Sequence, residues 1–231
     1  MRAIPFFVLG LNALAVALAI ALIGLTGHNH FEEKGFVTIF SAVQLLILAG
    51  LAWRTFRWRS IADGSKGAGG GAFWRRSSLL WLLAAVGFVF LAADELFQIH
   101  EGLDRLIHTV LDLRETAISD RLDDLIIGIY ALVAVAVLVA YRAELRLCRA
   151  RLPLLVWGLV LLLVMVFLDV LTNRYDILTF VFGGRQALIL GDGLARVEES
   201  LKLFAEALFV LAFHGLCLHA RQLAVQRPAR A

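Results

Sequence analysis

Apolar residues in this chain run in blocks about as long as a bilayer is thick, and polar residues gather in the breaks between them. A helix crossing the hydrocarbon core needs about 20 mainly apolar residues. Six segments meet that requirement: roughly 4–26, 36–56, 78–98, 123–142, 153–172 and 198–220. Pro5 and Pro153 stand at the starts of the first and fifth, where a missing backbone N–H costs nothing. In the first, Ala13, Ala17 and Ala21 repeat at four-residue spacing, which lets a second helix approach closely. Alanine-rich composition accounts for that stripe equally well. The pattern predicts an all-α, polytopic membrane protein, a bundle of six transmembrane helices forming a single integral membrane domain over 1–231. The first block is longer than the apolar core of a signal peptide and no small-x-small cleavage site clearly follows it, so its retention is expected.

The breaks have characters of their own. The glycine-rich run 64–71 reads as a flexible connector within a loop over 57–77. Leu103, Leu106, Ile107, Val110 and Leu111 recur at helical spacing among Asp104, Arg105, Asp112 and Arg114, which predicts an amphipathic interfacial helix after the third span. In the connection 173–197, Gly183-Gly184 and Gly191-Asp192-Gly193 mark turns.

Composition agrees with the blocks. Of the 231 residues, 61% are hydrophobic and only 18% charged, and the mean hydropathy is +0.83. These values exclude a disordered chain, a disulfide scaffold and an ordinary soluble domain. The basic residues set direction. Arg2, the group Arg54, Arg57, Arg59, Lys66, Arg75 and Arg76, the group Arg142, Arg146, Arg149 and Arg151, and Arg221, Arg227 and Arg230 fall on one side of the six-span arrangement. Lys34, Arg105, Arg114, Arg121, Arg174, Arg185 and Arg196 fall on the other. The richer side is expected to be cytoplasmic, with both termini inside a bacterial inner membrane. The basic charge is thus a topology signal, and no nucleic-acid partner is expected. Cys148 and Cys217 fall on the reducing side, with no zinc spacing. Trp53, Trp58, Trp74 and Trp81 read as an aromatic belt at the inner ends of the second and third spans.

Acids are distributed in the opposite sense. Only Asp63 and Glu144 are expected inside; the others lie in or near the outer connections. Asp94 and Glu95 sit in the outer part of the third span, followed by His100, Glu101 and Asp104. Asp123 and Asp124 open the fourth, Asp169 lies in the outer part of the fifth, and Glu198 and Glu199 open the sixth. Helical spacing places Asp94, Gln98, Glu101, Arg105 and His108 on one face, and Glu198, Lys202 and Glu206 in one stripe. Ionisable groups at such depths are costly and mark a partner, a cavity or a pathway.

Three readings of these residues compete. In the first, a divalent metal is held by Asp94, His100, Asp169 and Glu199, with Glu95 or Glu101 as catalytic base, acting on a lipid-like substrate from the bilayer. The run from His100 to Asp104 only partly matches His-Glu-x-x-His, since Asp104 stands in the second histidine position. In the second, the same acids form a proton or ion path, although the third span inward of Asp94 is apolar back to Ser78. In the third, the acids pair structurally, Glu198, Lys202 and Glu206 form an ion-paired polar core, and the chain is a non-catalytic subunit or accessory protein. Its expected partners are the lipid bilayer and other membrane proteins or further copies of itself.

The run Ala93-Asp94-Glu95-Leu96-Phe97-Gln98-Ile99-His100-Glu101-Gly102-Leu103-Asp104 resembles a signature of a group of uncharacterised bacterial six-helix inner-membrane proteins. The opening Glu33-Lys34-Gly35-Phe36-Val37-Thr38 of the second span is similar to the matching part of that group. So is the sixth span, with Glu198-Glu199 ahead of Lys202 and Glu206. The likeness covers most of the chain. It implies the same helix boundaries and the same choice of acids, and it assigns no reaction.

Overall fold

A computed structural model describes residues 3–32, 34–64, 76–112, 122–172 and 175–226, and every extended element among them is helical. In chain order these are α1 (Ala3–Thr26), α2 (Phe36–Gly64), α3 (Leu79–Phe97), α4 (Ile99–Val110), α5 (Leu122–Ala140), a 3-10 helix (Glu144–Arg151), α6 (Leu152–Thr172), α7 (Tyr175–Phe182) and α8 (Gly184–Gln226). Five helical stretches, in α1, α2, α3, α6 with the 3-10 turn before it, and α8, are long and apolar enough to cross a membrane. The fourth predicted span corresponds to α5, where the stretch Leu125–Ala140 is apolar but shorter.

The chain divides into two compact units, residues 1–48 with 150–215 and residues 49–149 with 216–231. In the first unit, Ala19, Phe31, Val37 and Leu203 are buried together, with Val16, Ile23, Phe36 and Phe40 packed around them. The α1–α2 connection is a tight turn in which Gly35 N–H donates to the Glu32 carbonyl (2.9 Å) and Val37 N–H to the His30 carbonyl (3.2 Å). Gly158 of α6 makes a notch for Phe209 of α8, whose ring fills the space a side chain would need. In the second unit α3, α4 and α5 pack on one another, and the Phe90 and Tyr130 rings meet edge to face with centroids 5.0 Å apart.

Two boundaries depart from the sequence reading. α2 continues through the expected loop start to Gly64, and the guanidinium of Arg59 within that extension is buried and bonded; the rest of the expected loop through residue 75, with the glycine-rich connector, lies outside the described residues. The helix expected from 198 begins at Gly184, so Gly191, Asp192 and Gly193 lie within α8 and make no turn. Glycine costs only about 1 kcal/mol in a helix interior, and Gly191 lies against the buried Leu178 of α7. Among the described residues of this connection the break falls at Gly183, with φ of 73°. The third span ends at Phe97, within one residue of the expected end. Gln98 takes a left-handed conformation, φ 53° and ψ 50°, and α4 starts as a separate helix.

Many large apolar side chains face outward, among them Phe6, Phe7, Leu132, Trp157, Leu163 and Phe167, while Asn12, Ser41, Gln44, Thr55, Asp94, Glu144 and Glu206 are buried. This is the reverse of the arrangement that water selects.

Candidate functional site

The sequence-nominated residues divide between the two units. Asp94, Glu95, His100 and Glu101 belong to one, and Asp169, Glu198, Glu199, Lys202 and Glu206 to the other.

At the α3–α4 junction Gln98 is left-handed, and His100 meets Asp94 across it. Gln98 N–H donates to the Asp94 carbonyl at 2.7 Å, closing α3. The Asp94 carboxylate then serves two purposes. Its Oδ1 accepts the His100 backbone N–H at 2.8 Å, satisfying one of the orphan donors in the first turn of α4. Its Oδ2 lies 2.9 Å from His100 Nδ1. A carboxylate accepts, so this contact turns the Nδ1 side of the ring toward Asp94 and the Nε2 side away from it. The Asp94 side chain is nearly buried, whereas that of His100 is 23% exposed. Gln98 Nε2 donates to Glu101 Oε1 at 3.1 Å, so the same turn also orients Glu101. Lower on α4, His108 Nδ1 and Asp104 Oδ1 stand 3.0 Å apart. Glu95 is half-buried on α3. The single face expected to run from Asp94 through His108 is therefore interrupted at Gln98. The interruption creates the Asp94–His100 contact, which a continuous helix does not make.

In the other unit, Lys202 Nζ lies 2.7 Å from Glu199 Oε2 and donates to its Oε1 at 3.0 Å. Asp169 is half-buried on α6 and Glu198 half-buried on α8. Glu206 is buried and accepts from Ser41 Oγ at 2.7 Å and from Gln44 Nε2 at 3.3 Å. Gln44 also donates to Asn12 Oδ1 at 3.0 Å.

Among the described residues, no three His, Cys, Asp or Glu side chains come together as a group able to hold a metal ion. The Asp94 carboxylate and His100 Nδ1, both expected as metal ligands, are bonded to each other.

The family comparison covers nearly the whole of this architecture: residues 4–217 match the model described as Domain of unknown function (DUF8692). The chain belongs to the DUF8692 family. No curated protein and no solved structure matches it.

Two features of this DUF8692 chain escaped sequence reasoning. One is the polar group around Glu206. Asn12, Ser41 and Gln44 are polar interruptions of apolar spans, and that costly placement was the available signal. The other joins elements of the second unit. Glu144, counted only as an inner acid, receives Arg59 Nε at 2.5 Å, Arg59 Nη2 at 2.9 Å and Trp81 Nε1 at 3.0 Å. Trp81, expected in an interfacial belt, is instead 2% exposed, because burial gives its indole N–H a carboxylate partner. Trp53 is exposed.

Proposed function

We propose that this is a six-span protein of a bacterial inner membrane, with both termini cytoplasmic, and that the Asp94–His100 pair moves a proton on a lipid-like substrate at the outer membrane face. The observation that carries this reading is the double hold of Asp94 on His100. One carboxylate oxygen fixes the backbone at 2.8 Å and the other orients the ring at 2.9 Å. A carboxylate on Nδ1 stabilises the imidazolium that forms when Nε2 takes a proton, the logic of a general base with an orienting partner. The substrate class follows from the surroundings. Phe97 is 75% exposed, and Leu96, Ile99, Leu103 and Leu106 present further apolar surface on the same junction and helix. An acyl or isoprenoid chain suits such a surface, while the polar end reaches the imidazole. Glu101, oriented by Gln98, stands one residue from His100 as a second proton carrier. On this reading Asp94 and His100 act as a proton-transfer pair, not as metal ligands.

The test compares membrane lipids, by mass spectrometry, in cells with the wild-type protein, with His100→Gln and with no protein. A lipid species whose level depends on the wild type and not on His100→Gln or Asp94→Asn is the expected result. Identical lipid profiles with and without the wild type overturn the catalytic reading.

A second reading, a non-catalytic accessory protein, draws support from the capping geometry. Asp94 Oδ1 closes the first turn of α4, Gln98 meets Glu101 and Asp104 meets His108. These bonds suffice to build the junction. This reading expects Asp94→Ala to lower the melting temperature while His100→Gln leaves the lipids unchanged.

A further inference from the structure

Tyr130 stands on the inward face of α5, one turn from the buried Ile126. Its ring meets Phe90 of α3 edge to face, with centroids 5.0 Å apart. Phe90 and Asp94 are in turn one helical turn apart on α3, and all of these residues belong to the second unit. Side chains on a helix lean toward its N-terminus, so the phenol reaches back toward Leu122, the end at which the chain arrives from α4. Its hydroxyl lies close enough to the Asp94 carboxylate to feel that charge, yet it makes no hydrogen bond to Asp94 or to any other described residue. A tyrosine hydroxyl removed from water usually has a partner. This one has none, beside a carboxylate whose two oxygens both hold His100.

The charge around the junction selects among ligands. Between 94 and 105 the chain carries four acids, Asp94, Glu95, Glu101 and Asp104, against one arginine. The side chain of that arginine, Arg105, is 70% exposed, and its guanidinium lies 3.9 Å from Glu101. A phosphate or carboxylate head would meet like charge here. An ammonium head suits the charge, but it only donates, which leaves the hydrogen of the phenol unused. An alcohol answers both groups: its oxygen accepts from the Tyr130 hydroxyl while its own O–H donates to His100 Nε2.

We propose that the lipid-like substrate of this site is a neutral lipid alcohol, and that the Tyr130 hydroxyl holds its oxygen beside His100. The proposal rests on the proton-transfer reading of the Asp94–His100 pair. In the step concerned, the alcohol proton moves to His100 Nε2 and the bonding electron pair stays on the alcohol oxygen. The Tyr130 O–H keeps its own hydrogen and stabilises the charge left on that oxygen. No other bond changes in this step.

The experiment titrates the full-length protein in nanodiscs with three probes that share one chain and differ in the head: farnesol, farnesylamine and farnesyl phosphate. Native mass spectrometry reads the binding. The wild type is expected to bind farnesol saturably and more tightly than either charged probe. Tyr130→Phe keeps the ring against Phe90 and removes only the hydroxyl. It is expected to weaken farnesol by about tenfold, the cost of one hydrogen bond to a group held away from water, and to leave the phosphate unchanged. Tyr141→Phe is expected to change neither. In cells, a lipid species that depends on His100 is expected to fall in Tyr130→Phe as well. Farnesol binding that Tyr130→Phe leaves unchanged, or that is no tighter than that of either charged probe, overturns the proposal, as does a wild type with no saturable farnesol binding. A His100-dependent lipid at its full level in Tyr130→Phe also overturns it and leaves the proton-transfer reading intact. Identical lipid profiles with and without the wild type, beside farnesol bound through Tyr130, overturn the reaction and keep the alcohol site.

Discussion

Arg59 and Glu144 carry full charges into a setting where each is almost completely removed from solvent, with side-chain exposures of 10% and 4%. Such a pair survives burial only because its geometry is complete. Two parallel N–H donors of the guanidinium meet the two carboxylate oxygens, and the Trp81 indole adds a third bond. Its net contribution to stability is small, since desolvation offsets much of the attraction. Breaking it is another matter. Glu144→Ala leaves Arg59 buried without its counter-charge and is expected to destabilise the protein by about 3–5 kcal/mol. Replacing both partners with leucine is expected to cost far less. Unfolding of the reconstituted protein in SDS, compared across the single and double variants, measures both. Equal losses in the single and double variants would show that the packing, not the pair, is what matters. A pair of this kind leaves no local trace in a sequence, because its partners lie 85 positions apart.

At the level of elements, apolar blocks located α1, α2, α3, α5, α6 and the later part of α8, because a run of about 20 apolar residues strongly favours a continuous helix. What the blocks could not show was where short-range geometry overrides them. Gly191-Asp192-Gly193 looked like a turn and is helix. Gln98, an unremarkable helix former, is the residue that breaks. Asp94 accepts from Gln98 through its carbonyl, as in any helix, and from His100 N–H through its carboxylate, which holds the chain after the break. The candidate site was legible to the same degree. Asp94 and His100 were both nominated, but a continuous helix separated them, and their contact required the break. Gly35 shows the converse, a glycine whose role was not visible. A methyl group there would strike the carbonyls of His30 and Glu32. Those carbonyls accept the bonds that start α2. Gly35→Ala is therefore expected to lower stability by about 2 kcal/mol or more, within the range of backbone effects at constrained glycines. Hydrogen exchange should then locate faster exchange at Gly35, Val37 and Ile39. Unchanged protection at those amides would show that the turn relaxes at no cost.

At the scale of the whole molecule, two opposed charge distributions accompany an inverted surface. Apolar side chains such as Phe6, Phe7 and Phe167 face outward while Asn12, Gln44 and Glu206 are enclosed. That inversion is what hydrocarbon solvation selects, because it rewards the burial of polar groups with one another and leaves no penalty on exposed leucine or phenylalanine. The direction of insertion then rests on arginine and lysine, which the translocation machinery leaves on the cytoplasmic side of short loops. The group Arg54, Arg57, Arg59, Lys66, Arg75 and Arg76 holds more basic residues than any other in the chain. It thus gives the sharpest test of orientation. A reporter inserted at Gly69 is expected to be active only if it functions in the cytoplasm, and one inserted near Arg114 only if it functions outside. Because α5 has the shortest apolar stretch, its crossing is tested by the same pair of sites extended to the connection at Arg146. Reporters at Gly69 and Arg146 on one side, with Arg114 on the other, require α5 to cross. Arg114 and Arg146 on the same side would instead reduce the count of crossings to five and place the basic residues of the 3-10 helix outside.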